Sequence, residues 1–103
     1  MRKYIFLMKF TDKGVCEIRD APKRAEAAIA HFETVCGNHL EIFPVMGEYN
    51  YIAIGDAPGD KEVMSFVLGL DTLGNVKTST HRAFSLEDYS DVINELRLGK
   101  TPL

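Results

Sequence analysis

Met46-Gly47-Glu48-Tyr49-Asn50-Tyr51 joins two runs that read as β-strands, His39–Val45 and Tyr51–Gly55. Glycine adopts a positive φ at little cost, so Gly47 suits a turn or a bulge. Asparagine tolerates turn geometry as well. Tyr49 and Tyr51 stand two residues apart, which on a strand gives them one face. The stretch is therefore predicted to be a central β-hairpin that carries the densest polar-aromatic cluster of the chain. On this reading the third strand runs from Tyr49 to about Asp56.

Upstream, Lys3–Phe10 is short, aromatic and β-rich, and is predicted as the first strand. Tyr4, Phe6, Met8 and Phe10 share one face, and Ile5 and Leu7 share the other. A strand apolar on both faces is covered on both. Thr11-Asp12-Lys13-Gly14 turns the chain, and Val15 and Ile18 suit one short helical turn. Asp20 fits an N-cap and Pro22 the first turn of a helix. Ala25, Ala28, Ile29, Phe32, Val35 and Cys36 then recur at helical spacing, with Gly37 as the stop. Pro44 cannot donate to a ladder, so the second strand belongs on an edge.

Downstream, Ala57-Pro58-Gly59-Asp60 ends the third strand. Val63, Phe66, Val67 and Leu70 mark a second amphipathic helix. Leu73-Gly74-Asn75 turns the chain into Val76–Phe84, an alternating, threonine-rich fourth strand. Ser85 and Asp88 form the start of a capping box. Leu86, Tyr89, Ile93 and Leu96 give the stripe of a C-terminal helix, and residues 98–103 are expected to be a flexible tail.

The order is β-α-β-β-α-β plus a helix, the split βαβ or ferredoxin-like arrangement of the α+β class. Its antiparallel order 4-1-3-2 puts the strand with Pro44 on an edge and the doubly apolar first strand in the middle. The helices cover one face. The other is expected to be a largely apolar, tyrosine-bearing surface, unfavourable to leave in water. A second copy packed sheet to sheet, or the C-terminal helix acting as a lid, would cover it. Phe6 and Tyr51 are candidates for this face, and aspartate at either would then break an oligomer.

With 103 residues the chain is expected to be one domain. A net charge of −3 and the lack of a basic stripe argue against a nucleic-acid partner. No apolar run is long enough to span a bilayer. Met1-Arg2-Lys3 before Tyr4–Met8 imitates a secretory signal, but the apolar run ends at Lys9 without a small-residue cleavage site. The expected location is cytoplasmic. Cys16 and Cys36 form no metal-spaced motif and read as structural thiols.

Gly47-Glu48-Tyr49-Asn50, together with Pro22-Lys23-Arg24-Ala25-Glu26-Ala27, Leu73-Gly74-Asn75-Val76-Lys77-Thr78 and Arg82-Ala83-Phe84, resembles the GYD-domain proteins. The resemblance spans roughly Lys3 to Leu96. It implies a ferredoxin-like fold of the dimeric α+β-barrel type and carries no settled activity. The third position of the family's Gly, Tyr and Asp is Asn50 here. A neutral amide replaces a carboxylate, which favours a structural role for the motif.

Candidate chemistry gathers around Glu48, Tyr49, Asn50 and Tyr51, with His81 and Arg82 from the fourth strand. Arginine offers a fork for a carboxylate or phosphate, and tyrosines supply stacking and hydroxyls. The bland alternative is a hairpin turn with interface tyrosines. His31, His39 and His81 have no partner at ligand spacing, so neither metal nor cofactor is expected. Asp56 and Asp60 read as turn and cap residues.

Three functions remain open. A small homo-oligomeric ligand-binding or regulatory module would resemble the sensing domains of feast-famine regulators, which here lack a helix-turn-helix and would act in trans. A cofactor-free enzyme would resemble the dimeric α+β-barrel monooxygenases and isomerases, with Arg82, His81, Tyr49 and Tyr51 as candidates. The third is a structural subunit. A deep closed pocket favours the enzyme, a shallow groove between subunits the module, and no pocket the subunit.

Overall fold

A computed structural model describes the backbone of residues 1–99 and the side chains of residues 1–96. The strands are β1 (Arg2–Phe10), β2 (Leu40–Pro44), β3 (Tyr51–Ala57) and β4 (Val76–Ala83). The helices are α1 (Asp12–Cys16), α2 (Ala21–Cys36), α3 (Asp60–Leu73) and α4 (Leu86–Gly99), with a 3₁₀ turn at Ile18–Asp20 before α2. The sheet order is β2-β3-β1-β4, antiparallel throughout. This is the expected 4-1-3-2 order seen from the other edge, and Pro44 lies on an edge strand as its missing N–H requires.

β1 has apolar residues of both parities, and its neighbours settle which parity faces the helices. Tyr4, Phe6 and Met8 are buried under α2 and α3. Beside them on β3, Ala53, Gly55 and Ala57 are also buried, and they are small because helix side chains press down there. A Cβ on Gly55 would lie 2.7 Å from Phe32 Cζ, so only glycine fits beneath that ring. Phe32 meets Phe6 and Phe66 edge to face, with centroids 6.0 and 5.0 Å away, and these three rings centre the core.

The opposite face of the sheet is mainly apolar over β1, β3 and β2, carries Lys77, Ser79 and His81 on β4, and has no tyrosine from the strands. Ile5 pairs with Ile54 and Leu7 with Ile52, and Phe43 lies beyond Ile52 on β2. Phe6 and Tyr51, the candidates for the open face, are on the helix side. Tyr51 turns inward because its ring packs edge-on against Phe10, 5.4 Å between centroids. Tyr49 precedes β3 and so does not share a strand face with it.

Caps explain the element ends. Gly37 and Gly74 close α2 and α3 in the left-handed region, at φ 77° and 76°. Ser85 Oγ accepts from the Asp88 N–H at 3.0 Å, the expected cap of α4. Asp20 does not cap α2. The 3₁₀ turn delivers the chain with helical backbone at Asp20, and its side chain makes no cap bond.

α1 and the turn after α3 form a clasp. Thr11 N donates to Asn75 O at 3.0 Å, Thr11 Oγ1 to Gly74 O at 2.5 Å, and Lys13 Nζ to Leu73 O at 2.9 Å. The backbones come so close that a Cβ on Gly14 would lie 2.2 Å from Asn75 O. α4 stands apart. Every residue from Leu86 to Leu96 is exposed, and among the described residues the helix forms no packed interface with the rest of the chain and no lid on the sheet. The radius of gyration is accordingly 16.6 Å, against about 13 Å for a compact chain of this length. α4 continues through Gly99, where a tail was expected. The remaining tail residues, 100–103, lie outside the described residues. Among the described residues no helix is long and apolar enough to cross a membrane.

Candidate functional site

The residues singled out in the sequence do not meet in one pocket. On β1, Tyr4 pairs with Arg82 and Met8 pairs with Tyr51. Four strand residues, about 13 Å, therefore separate Arg82 from the hairpin. Arg82 and His81 also point to opposite faces of β4. The Arg82 guanidinium lies over the Phe84 ring at 4.7 Å, and His81 Nε2 is 2.9 Å from Ser79 Oγ on the open face.

The hairpin residues divide in the same way. Asn50 ties the loop to β1 through its backbone N–H, which donates to Met8 O at 2.9 Å. Its side-chain Oδ1 accepts from Phe10 N at 2.8 Å, and its carbonyl accepts from Val45 N at 3.0 Å. An acceptor oxygen is what the position needs, and an amide provides one as well as a carboxylate. Glu48 is in an exposed ion pair with Lys9 at 3.4 Å, and the same ammonium sits 5.3 Å from the Tyr49 ring centre. Gly47, at φ 117°, makes the loop possible. Asn50 is thus a clamp, Glu48 and Tyr49 belong to the surface, and of the four only Tyr51 lines the cavity beneath the helices.

That cavity lies between the sheet, α2 and the end of α3, and encloses about 50 Å³. Met8, Phe10, Ala28, Ile42, Leu70 and Val76 make it mainly apolar, and Arg24, Tyr51 and Asn75 supply its polar groups. Arg24 is held in place by carbonyls, with Nη1 donating to Glu17 O at 2.7 Å and Nη2 to Gly14 O at 3.0 Å. Asn75 differs. Its Oδ1 is buried, and no donor among the described residues reaches it. Such an acceptor costs about 1–3 kcal/mol relative to a satisfied one. The clasp with α1 holds the Asn75 backbone here, so the side chain keeps its place while the clasp is closed.

A second concavity, a groove of about 410 Å³, runs between α3 and the edge strand β4. Tyr4, Asp60, Thr80 and Arg82 lie along it with Val63, Met64, Val67 and Leu68. The Tyr4 hydroxyl donates to Asp60 Oδ1. Burial pushes the Tyr4 phenol above its ordinary pKa, the Asp60 carboxylate adds to this, and Arg2 opposes it. Tyr4 is therefore held as a neutral donor. Asp60 was read as a turn or cap residue. It occupies the first turn of α3, and its partner is 56 positions away in sequence. Asp56, its companion in that reading, is on β3 and pairs with Lys3 at 3.3 Å.

The thiols are free. Cys16 is exposed and Cys36 buried, and burial, helped by Glu62, raises the Cys36 pKa. A thiol so raised is a poor nucleophile. Among the described residues no three His, Cys, Asp or Glu side chains cluster to hold a metal ion.

Asn75, Arg24, Tyr4 and Asp60 were not among the sequence candidates. Asn75 looked like turn punctuation after Gly74, and Arg24 like a solvent-facing helix residue. The pairing of Tyr4 with Asp60 requires the β1–α3 packing.

The family model of the GYD domain matches residues 4–93. The chain belongs to the GYD-domain family. A search of the curated proteins finds no match, and neither does a search of the solved structures. The GYD match takes in the sheet from Tyr4 onward, α2, α3 and α4 as far as Ile93, so the projecting helix lies largely within the domain.

Proposed function

We propose that this GYD domain is a small-molecule-binding module that works as a homo-oligomer and takes its ligand in the helix–sheet cavity. The observation that carries the reading is a mainly apolar cavity lined by Asn75, whose side-chain Oδ1 is buried and has no partner among the described residues. Apolar pockets with a few placed polar groups are the common form of ligand site. The ligand this wall suits is compact and mainly apolar, with one N–H or O–H to donate to Asn75. The Tyr51 ring also borders an outer groove with Ile18, Pro22 and Val45, so it is the partition a larger ligand would displace. This puts the site on the helix side of the sheet and leaves the open face for assembly. The aliphatic patch of Ile5, Leu7, Ile52, Ile54 and Phe43 supports that assembly.

The test is a titration followed by amide and side-chain NMR shifts, with isobutanol as probe and its methyl ether as the control lacking the donor. Isobutanol is expected to shift the Asn75 and Tyr51 resonances and to bind more tightly than the ether. Asn75→Leu is expected to abolish that preference. Equal binding of the two probes, or shifts confined to the open face, would refute the site.

A further inference from the structure

We infer that α4 is an exchanged arm: α4 of one copy seats its apolar stripe in the groove between α3 and β4 of a second copy. The inference rests on the homo-oligomer proposed above and adds a contact that the sheet-face reading does not need.

Two unpartnered surfaces of the same chain motivate it. Leu86, Tyr89 and Leu96 of α4 are 85, 60 and 62% exposed. A helix of 14 residues standing alone is marginal in water, so α4 needs a surface to remain helical. α3 offers one. Its apolar arc is wider than the core uses, because Val63, Phe66 and Leu70 point at the sheet while Met64 and Leu68 remain 63 and 56% exposed beside β4. α4 has 14 residues, or about 21 Å of helix, enough to span the groove, which α3 lines from Asp60 to Leu68.

Charge agrees with this. Arg82 lies along the groove and has no carboxylate within ion-pair distance among the described residues. The groove's own carboxylate, Asp60, is engaged by the Tyr4 hydroxyl. α4 brings Glu87, Asp88, Asp91 and Glu95.

The root of α4 favours a second copy over the chain itself. Only Phe84 and Ser85 separate β4 from α4. The Arg82 guanidinium covers Phe84, and Ser85 caps the helix through Oγ to Asp88 N and through its carbonyl to Tyr89 N, both at 3.0 Å. With its root held at both residues, α4 projects outward, and the chain's long dimension is 55 Å against 29 and 20 Å for the others. Two such arms, each burying about a third of a helix surface against a groove, cover on the order of 1,000 Å² in all. That is below the roughly 1,600 Å² of a standard interface, so the arms supplement the sheet-face contact.

The experiment is disulfide trapping in the full chain with Cys16→Ser. Met64→Cys or Leu68→Cys in one tagged chain is co-expressed with Tyr89→Cys or Ile93→Cys in another, giving four pairings that cover both directions of the arm. At least one pairing is expected to give a covalent heterodimer in clear excess over the homodimers on mild oxidation. The matching double variant within one chain is expected to cross-link between chains as well. Cross-links only within single chains would show that α4 covers its own groove and would overturn the inference. An oligomer by light scattering with no trapping in any pairing would also overturn it while leaving the assembly standing. A bare monomer would remove both.

Discussion

Alanine at Gly55 puts the β3–α2 contact to a quantitative test. The new Cβ would lie 2.7 Å from Phe32 Cζ, 2.8 Å from its Cε1 and 3.0 Å from Leu40 Cδ1, where ordinary contact begins at 3.4 Å. Phe32 has little room to retreat. It is fully buried, and Phe6 and Phe66 hold it edge to face from two sides. Overpacking a core of this kind costs about 1–3 kcal/mol, and a clash with a confined ring belongs in the upper half of that range. Replacing glycine returns about 0.5–1 kcal/mol of backbone entropy. The net expectation is a loss of about 1–2.5 kcal/mol, which corresponds to a Tm lower by roughly 5–12 °C. Urea unfolding with an unchanged slope is the assay, since a changed slope would report on the denatured state instead. Phe32→Leu removes the clashing ring atoms. In a double-mutant cycle the two changes should therefore be less than additive, with a coupling of at least about 1 kcal/mol. A neutral Gly55→Ala, or strict additivity with Phe32→Leu, would refute the claim that Phe32 dictates glycine there.

Other expectations follow from contacts described above. Asn50→Asp is expected to keep the stability of the parent at neutral pH, because Oδ1 still accepts from Phe10 N. Asn50→Ala is expected to lose about 1–2 kcal/mol in the same urea assay. The raised pKa of the Tyr4 phenol couples stability to alkaline pH. Above the unfolded value of 10.0 the unfolded chain ionises Tyr4 while the folded chain holds its proton, so stability is complete below that pH and falls as pH rises towards the folded pKa. Tyr4→Phe should flatten this alkaline limb in thermal melts taken across pH 9 to 11, and an unchanged slope would mean that the phenol is not the group responsible. Leu7→Asp, at the centre of the open sheet face, is expected to yield a folded monomer by light scattering and circular dichroism. Retained assembly would remove that face from the interface.

Element order, sheet order and most caps were legible in the sequence, because glycine, proline and serine punctuate where backbone geometry demands it. Gly37, Gly74, Ser85 and Pro44 all act as their chemistry implied. The parity of β1 was not legible, and the reason is physical. Ile52 and Ile54 look more like core than Ala53 and Gly55 do, yet the small residues are the buried ones because Phe32 occupies the space above them. Tyr51 was a candidate for the open face for that reason, and it packs against the core instead. The candidate site was less legible still. Tyr51 was found by composition, but Asn75 matters through burial that its own neighbours in sequence do not supply. Arg82 and the hairpin looked like one cluster because sequence spacing says nothing about how far apart a register places two residues.

The clasp between Thr11–Lys13 and Leu73–Asn75 has a kinetic meaning. It joins residues about sixty positions apart, and closing so long a loop is entropically unfavourable until other contacts have drawn its ends together. It belongs to the late steps of folding. In the native state it should be among the contacts that open without the sheet coming apart. Asn75 sits in the cavity wall through this closure. Passage into the cavity can therefore follow a local, reversible parting of the clasp, on a timescale separate from that of global unfolding. The Thr11 amide, which donates to Asn75, is the hydrogen whose exchange with solvent would time that opening.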